Sequence, residues 1–176
     1  MKYLFSLLFI MLIPNTQTLF DFKKGANIGD WWIVNDTVMG GRSNSSFRLT
    51  TEGHGLFSGT VSLENNGGFS SVRYQFKAIN VEAFSKVRVR LKGDGKPYEF
   101  RVKSDRRDYY SYIAPFNTTG EWQEVEIALA DMYPSFRGRK LNRSNFSSER
   151  IEEVVFLIGN KKPESFELLI DKIELQ

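Results

Sequence analysis

Cysteine and histidine are almost missing from this sequence, which contains no cysteine and a single histidine, His54, among its 176 residues. The lack of cysteine excludes disulfides, thiolate metal sites and a cysteine nucleophile. The lack of further histidines excludes most catalytic triads and most zinc sites. His54 itself lies between two glycines, and this setting is typical of a surface turn rather than of a general base.

A strong excess of one charge is also missing, because 24 basic residues are balanced by 21 acidic ones and the formal net charge is +3. Such a balance, without an extended basic face, does not indicate a nucleic-acid partner. Carboxylates are plentiful, but no local spacing places two of them as the acid and base of a hydrolase. We therefore predict a protein that is not an enzyme, and a hydrolase is the weakest alternative.

Long apolar runs are absent apart from the segment 3–13, which is too short to cross a bilayer, since a spanning helix needs about 20 residues. Lys2 precedes this segment and the polar stretch 14–18 follows it. This order is typical of a secretory signal, and the arginine-rich pattern of a mitochondrial presequence is missing. We predict a signal peptide over residues 1–18 and one exported domain over 19–176, periplasmic or secreted, without a stable membrane span after cleavage. An uncleaved membrane anchor is the alternative.

Aromatic residues are abundant, at 14% of the chain, and they favour pleated, half-buried surfaces. Strict alternation of apolar and polar residues predicts strands with one face in a core. The alternation is clearest over 71–76, 86–92 and 98–103, and it recurs over 56–63 and 125–129. A continuous apolar run over 154–158 suits a strand buried on both faces. Short strands separated by glycine-bearing turns predict an all-β fold of one domain, a β-sandwich or jelly roll.

Three local features complete the predicted architecture. The segment 93–97, which reads Gly-Asp-Gly-Lys-Pro, is expected to close a hairpin between its two flanking strands. The segment 132–150 contains proline, glycine and several basic residues, and it predicts a long loop over the sheet. Trp122 is expected in the core or at its rim.

The most specific motif runs from Trp32 to Ser43 and reads Trp-Ile-Val-Asn-Asp-Thr-Val-Met-Gly-Gly-Arg-Ser. Further matching stretches follow in order over 59–62, 65–73, 93–95, 120–123, 136–139 and 166–173. In these stretches the sequence resembles the complex I intermediate-associated protein 30 family, over about residues 20–176. The resemblance implies a galactose-binding-like β-sandwich, related in shape to carbohydrate-binding modules, and a role in assembling respiratory complex I in mitochondria. It implies no defined active site.

Two glycine-bearing loops supply the first candidate site residues. These are Asn35, Asp36, Met39, Gly40, Gly41 and Ser43 in one loop, and Asn65, Gly67, Gly68, Phe69 and Arg73 in the other. Asn and Asp cap turns through bonds to the backbone, and glycine permits positive φ, so a structural role is one interpretation. Exposed loops on a rigid sandwich also collect binding residues, so contact with a partner is the other. For Arg73, a salt bridge to Asp36 and a ligand contact both stay open.

A third candidate segment, 105–112, interleaves charged and aromatic residues, and Asp105 and Tyr112 are its candidate binding residues. This composition suits the stacking of sugar rings and the pairing of charges. Sugar or peptide binding is therefore one interpretation of the segment. The other is a solvated hairpin tip, in which the opposite charges partly cancel.

A basic segment supplies the last candidates, Phe136, Arg137 and Arg139, with Lys140 and Arg143 close behind. Arginine side chains can grip a carboxylate or a phosphate with two parallel hydrogen bonds, so this loop is a candidate interface. The alternative is a loop that is neutralised by nearby acidic residues, namely Glu149, Glu152 and Glu153.

No cofactor is predicted. The exception is a structural calcium ion, which the carboxylate oxygens of Asp21 and Asp171 could bind if the first and last strands lie together. The leading functional hypothesis is a non-catalytic protein that holds a protein partner through the loops of a rigid sandwich, in the manner of an assembly factor. An exported carbohydrate-binding module is the alternative.

Overall fold

Two antiparallel β-sheets result from the alternation of apolar and polar residues, because each sheet turns its apolar face towards the other. The computed structural model describes residues 15–176. Its strands are β1 (Gln17–Asp21), β2 (Trp31–Asn35), β3 (Asn44–Leu49), β4 (Gly55–Val61), β5 (Ser70–Asn80), β6 (Lys86–Lys92), β7 (Pro97–Lys103), β8 (Ser111–Asn117), β9 (Trp122–Ala128), β10 (Tyr133–Phe136), β11 (Arg139–Lys140), β12 (Arg150–Ile158) and β13 (Glu164–Leu175). Short 3-10 helices lie at Asp36–Met39, Glu64–Asn66 and Leu129–Asp131.

The strand order places the last two strands inside the two sheets. One sheet has the order β3-β4-β13-β6-β9, and β1 also pairs with β13. The other sheet has the order β11-β10-β8-β7-β12-β5-β2. The predicted all-β sandwich or jelly roll is confirmed, and each window that was assigned to a strand lies in or overlaps one.

The core lies between the sheets and is built from the inward-facing residues of both. Fully buried members include Phe57, Phe100, Phe156, Leu168 and Ile173. Burial of one such side chain contributes roughly 1.5–3 kcal/mol relative to its exposure to water. In β12 the alternate residues Val155 and Leu157 are also buried, at 0% and 7% exposure, although they point to the outer face. The continuous apolar run of this strand therefore does reflect burial on both sides.

The predicted hairpin at 93–97 is wrong, because this segment crosses from one sheet to the other. β6 pairs with β13 and β9, whereas β7 pairs with β12 and β8. The Asp94 carboxylate fixes the crossing, since it accepts a hydrogen bond from the Tyr98 hydroxyl at 3.0 Å and one from the backbone N–H of Glu167 at 3.0 Å. Alternation reports which face of a strand is buried, and it does not report which strand lies alongside.

The predicted loop at 132–150 is also partly wrong, because it contains the hairpin β10–β11. Its tip is formed by Arg137 and Gly138, whose φ angles are 49° and 73°, and positive φ at both central residues characterises a type I′ turn. β10 in turn pairs with β8, with Tyr133 opposite Ile113. Edge pairing of this kind is hard to foresee, since a four-residue strand carries almost no alternation.

Trp122 does not lie in the core. Its register partner in β6 is Lys92, so its ring lies on the outer face of that sheet and is half-buried. There the Arg90 guanidinium lies 4.8 Å from the ring centroid, and the His54 ring lies at 4.6 Å. The packing of this tryptophan is therefore polar and peripheral.

The predicted leader overlaps the first strand. β1 begins at Gln17, which lies opposite Leu175, and Thr18 lies opposite Glu174. Residues 1–14, which make up the rest of the predicted signal, lie outside the described residues. Within residues 15–176, no helix combines the length and the apolar character needed to cross a membrane.

Candidate functional site

The first two candidate loops meet around one buried carboxylate, that of Asp36, which is 1% exposed. Its oxygens accept hydrogen bonds from the backbone N–H of Ser43 at 3.0 Å and from the Ser43 hydroxyl at 2.5 Å. They also accept the backbone N–H groups of Gly68 at 2.5 Å and Phe69 at 3.3 Å. Burial by itself raises the pKa of Asp36, but these hydrogen bonds together outweigh it and lower the net pKa.

Glycines in both loops are required by their close approach to this carboxylate. A Cβ atom on Gly67 would lie 2.5 Å from Asp36 Oδ2, and one on Gly41 would also collide with the Asp36 side chain. The two loops are further tied by Asn65, whose amide donates to the carbonyl of Gly40 at 2.9 Å. Gly41 and Gly67 therefore serve the packing around Asp36.

Asn35 extends the hydrogen-bond network around Asp36 from one sheet to the other. Its side-chain oxygen accepts hydrogen bonds from the hydroxyl of Ser45 in β3, at 2.8 Å, and from that of Ser70 in β5, at 2.7 Å. Since β3 and β5 belong to different sheets, Asn35 and Asp36 fasten the sheets together. This geometry favours the structural interpretation of both loops. The Met39 side chain is outside the described part of the structure.

Arg73 does not pair with Asp36, so that interpretation of Arg73 is wrong. It donates instead to Glu153 Oε1 at 3.2 Å, while Gln75 donates to Glu153 Oε2 at 2.6 Å. Glu153 is 2% exposed, although it lies on the outer face of the seven-stranded sheet. Burial lowers the pKa of the Arg73 guanidinium, and the charge of Glu153 opposes this effect.

A cleft of about 680 Å³ opens beside this network on the same outer face. Trp32, Gln75, Arg106 and Glu152 contribute to its lining, and Trp32 is 36% exposed. Trp32 was not among the sequence candidates for a site. Its role could have been recognised, because adjacent residues on a strand point to opposite faces and only one of two neighbouring tryptophans can enter the core.

Asp105 lies at the tip of the β7–β8 hairpin, where its charge is matched by arginines. It accepts hydrogen bonds from the Arg107 side chain at 2.9 and 2.6 Å and from Arg150 at 3.3 Å. Arg107 above all, with a smaller effect from Arg150, lowers the pKa of Asp105 well below its usual range. At Asp105, the structure agrees with the interpretation of this segment as a hairpin tip in which opposite charges cancel.

The other half of this hairpin tip meets the β10–β11 hairpin and forms what we call the aromatic–basic surface. It consists of Tyr109, Tyr110, Phe136, Arg137, Arg139, Lys140 and Arg143. The rings of Tyr109 and Phe136 meet edge to face, with their centroids 5.2 Å apart. The Arg143 guanidinium lies 5.0 Å from the Tyr110 centroid, and that of Arg137 lies 5.2 Å from the Phe136 centroid. Two candidate segments that are separate in the sequence therefore form one surface.

Tyr112 and Phe146 support this surface from below. Their rings pack edge to face at 5.2 Å, and Phe146 is buried. Burial, followed by the neighbouring Tyr110 hydroxyl, raises the pKa of Tyr112 to about 12, so its hydroxyl stays neutral at physiological pH. The Tyr112 ring packs against the Tyr110 ring of the surface, with the centroids 5.5 Å apart, and is itself partly buried.

The aromatic–basic surface is exposed, and its cations have no acidic partners among residues 15–176. Tyr109 is 56% exposed and Phe136 is 36% exposed. The nearby acidic residues do not neutralise the loop as the alternative required, because Glu152 pairs with Arg150 and Glu153 with Arg73. No ion pair to Glu149 is present in the described residues either.

The predicted juxtaposition of the first and last strands is confirmed, but it does not produce a calcium site. β1 pairs with β13, with Asp21 opposite Lys172. The Asp171 carboxylate instead accepts a hydrogen bond from Arg90 at 2.6 Å and lies 3.0 Å from His54 Nδ1. Over the described residues, no three acidic or histidine side chains are grouped to hold a metal ion. The geometry therefore gives the calcium hypothesis no support.

Comparison with known proteins assigns the chain to a family. Residues 20–170 match the pattern described as complex I intermediate-associated protein 30. The chain belongs to this family. A relative from Drosophila melanogaster, named complex I intermediate-associated protein 30, mitochondrial, is 24% identical over 186 residues, covering 92% of this chain and 63% of that protein. The chain thus spans less than two thirds of that relative.

Because the relative is mitochondrial, the prediction of a periplasmic or secreted protein is wrong.

The fold is shared with carbohydrate-binding proteins. A family 11 carbohydrate-binding module from Clostridium thermocellum, solved in complex with a β-1,3-1,4-mixed-linked tetrasaccharide, superposes with a TM-score of 0.65 at 16% identity, covering 91% of this chain and 94% of that one. The agarase AgWH50C superposes with a TM-score of 0.59 at 14% identity, covering 92% of this chain and 24% of that one. At these identities the likeness shows the fold alone.

Proposed function

We propose that this family member is a non-catalytic binding protein that holds a protein partner through its aromatic–basic surface. Tyr109 and Phe136 carry the proposal, because they form an exposed aromatic pair between cations that lack acidic partners in the described chain. Aromatic residues, phenylalanine included, and arginine are enriched in protein interfaces, and tyrosine and arginine are enriched in their binding hot spots. The relative is named for association with a complex I intermediate, and we take such an intermediate, inside mitochondria, as the partner.

The turn at the tip of the β10–β11 hairpin supports a binding role for Arg137. A type I′ turn favours Asn at its first central position, whereas a side chain such as that of arginine is disfavoured at positive φ. Arg137 nevertheless adopts a φ of 49° there. Its side chain is therefore better explained by contact with a partner than by the local stability of the turn.

Crosslinking of the tagged chain in mitochondria, followed by purification and mass spectrometry, tests this proposal. Phe136→Ala should lower the yield of the crosslinked partner about 10-fold, which is the size of effect expected for a hot-spot residue. Leu63→Ala is the matched control, since Leu63 is similarly exposed at 40% but lies outside the aromatic–basic surface. Equal yields from the native chain and both variants would contradict the proposal.

Carbohydrate binding in the cleft beside Trp32 is a second candidate function. Its support is the exposed Trp32 ring, which could stack on a sugar, next to the polar side chains of Gln75 and Glu152. Isothermal titration calorimetry of the purified chain with a mixed-linked glucan tetrasaccharide tests it. Saturable binding that Trp32→Ala abolishes and Phe136→Ala preserves would favour this second function.

A further inference from the structure

We infer that the segment bound by the aromatic–basic surface is acidic, with carboxylate side chains interspersed among apolar ones. This inference rests on the proposed function, because it names the chemistry of the partner at the same surface. It follows from the charge of the surface, from the placement of its arginines against aromatic rings and from the exposure of those rings.

The charge of the surface is uncompensated within the described residues. Its four cations form no ion pair over residues 15–176; they are Arg137, Arg139, Lys140 and Arg143. On the outer face of the six-stranded sheet, by contrast, basic side chains do meet carboxylates: Lys86 pairs with Glu126 at 2.7 Å and Arg90 with Asp171 at 2.6 Å. Carboxylates of an acidic partner would neutralise the cations of the β10–β11 hairpin, as Glu126 and Asp171 neutralise those of the six-stranded sheet.

Three of the four cations are held by aromatic rings instead of acids. Arg137 lies over Phe136, Lys140 lies 5.2 Å from the centroid of Tyr133, and Arg143 lies over Tyr110. Because these guanidinium groups lie against rings and not against carboxylates of the described chain, their N–H groups remain available to bind a partner's carboxylate with two parallel hydrogen bonds. Arg137 and Arg143 are thus available to the acidic side chains of a partner.

The exposed rings distinguish a protein segment from other anionic partners. Tyr109 and Phe136 lie between the cations, so a partner that covers the surface must supply apolar groups between its negative charges. An acidic peptide with leucine or phenylalanine among its carboxylates meets both requirements. The cations are also confined to one short hairpin and its neighbour, which is too compact to follow a nucleic-acid backbone.

Fluorescence anisotropy with a labelled peptide tests the inference on the purified chain. The probe is a 14-residue peptide of glutamates interrupted by leucine and phenylalanine, and the same peptide with glutamine for glutamate is the neutral control. We expect saturable binding of the acidic probe, at least 10-fold weaker binding of the neutral one, and steep weakening as salt is raised. Arg137→Gln combined with Arg143→Gln should weaken binding of the acidic probe at least 10-fold.

A variant with the same change in net charge controls for non-specific attraction. Lys24→Gln combined with Arg48→Gln removes two exposed basic side chains that lie outside the aromatic–basic surface, and it should leave the affinity within about 2-fold of the native value. Equal losses in the two double variants would overturn the inference. So would binding of single-stranded DNA or of anionic phosphatidylglycerol vesicles by a chain that does not bind the acidic peptide.

The mitochondrial crosslinking experiment separates this inference from the proposed function. If Phe136→Ala loses the partner while Arg137→Gln/Arg143→Gln retains it, the proposed function stands and the acidic character of the partner is overturned. If both variants lose the partner and the acidic probe binds the native chain, both stand. If Phe136→Ala retains the partner, the proposed function fails and this inference fails with it.

Discussion

Asp36 Oδ2 accepts the backbone N–H of Gly68 at 2.5 Å across a separation of 32 residues in the chain. This hydrogen bond joins the two loops that stand out most in the sequence, and it places the Asp36 carboxylate in the interior. The Asp36 carboxylate thereby satisfies N–H groups that the loops would otherwise bury without a partner.

Asp36→Asn should destabilise the chain by about 2–3 kcal/mol at pH 7, because an amide N–H group would replace an oxygen that faces backbone N–H donors. Urea unfolding followed by tryptophan fluorescence measures the loss. Asp30→Asn, at an exposed aspartate, is the matched control and should change the unfolding free energy by less than about 0.5 kcal/mol. Similar values for the two variants would show that the Asp36 bonds contribute little.

The stability due to Asp36 should depend on pH in a defined direction. Its pKa in the folded chain lies below the ordinary value of 3.8, so the unfolded chain takes up a proton first as the pH falls. The contribution of Asp36 is therefore complete above pH 3.8 and decreases as the pH falls towards the folded pKa. Urea unfolding between pH 6 and pH 2.5 should show a shallower acid loss in Asp36→Asn than in the native chain. Parallel curves would contradict the lowered pKa.

The pair Arg73 and Glu153 should show strong coupling in a double-mutant cycle. Arg73→Met leaves the Glu153 carboxylate buried without its cation, and we expect a loss of about 3–5 kcal/mol in unfolding free energy. Arg73→Met combined with Glu153→Leu removes both charges and should recover most of that loss. Chemical denaturation of the single variants Arg73→Met and Glu153→Leu, of the double variant and of the native chain measures the coupling. Additive losses would mean that the two charges act independently.

Arg137→Asn separates stability from binding at one position. Asn suits the left-handed conformation of a type I′ turn better than arginine does, so the variant should be more stable by about 0.5 kcal/mol. The same change removes a cation of the aromatic–basic surface, and the crosslinked partner should decrease. Differential scanning calorimetry and the mitochondrial crosslinking assay give the two measurements. A simultaneous loss of stability would assign Arg137 a structural role.

Local patterns in the sequence predicted strands and candidate segments, but not the contacts between them. Alternation identified β5, β6 and β7 because their buried and exposed residues differ in polarity, and the segment 105–112 was recognised from its mixture of charges and rings. The pairing of Tyr109 with Phe136 could not be predicted, because it depends on β10 lying beside β8. The Arg73–Glu153 pair was also missed, because it depends on β12 lying beside β5 and joins residues that are 80 positions apart.

What the sequence determined by itself was the all-β class, the inward faces of the main strands and the family, because these depend on local patterns of side chains and on motifs. Tertiary structure alone decided that β6 and β7 lie in different sheets, that the carboxylate of Asp36 is buried among loop N–H groups, and that the two hairpins share one exposed aromatic–basic surface. The physical reason is that contacts between distant segments depend on which strands pair, and each strand offers the same backbone hydrogen bonds to any neighbour.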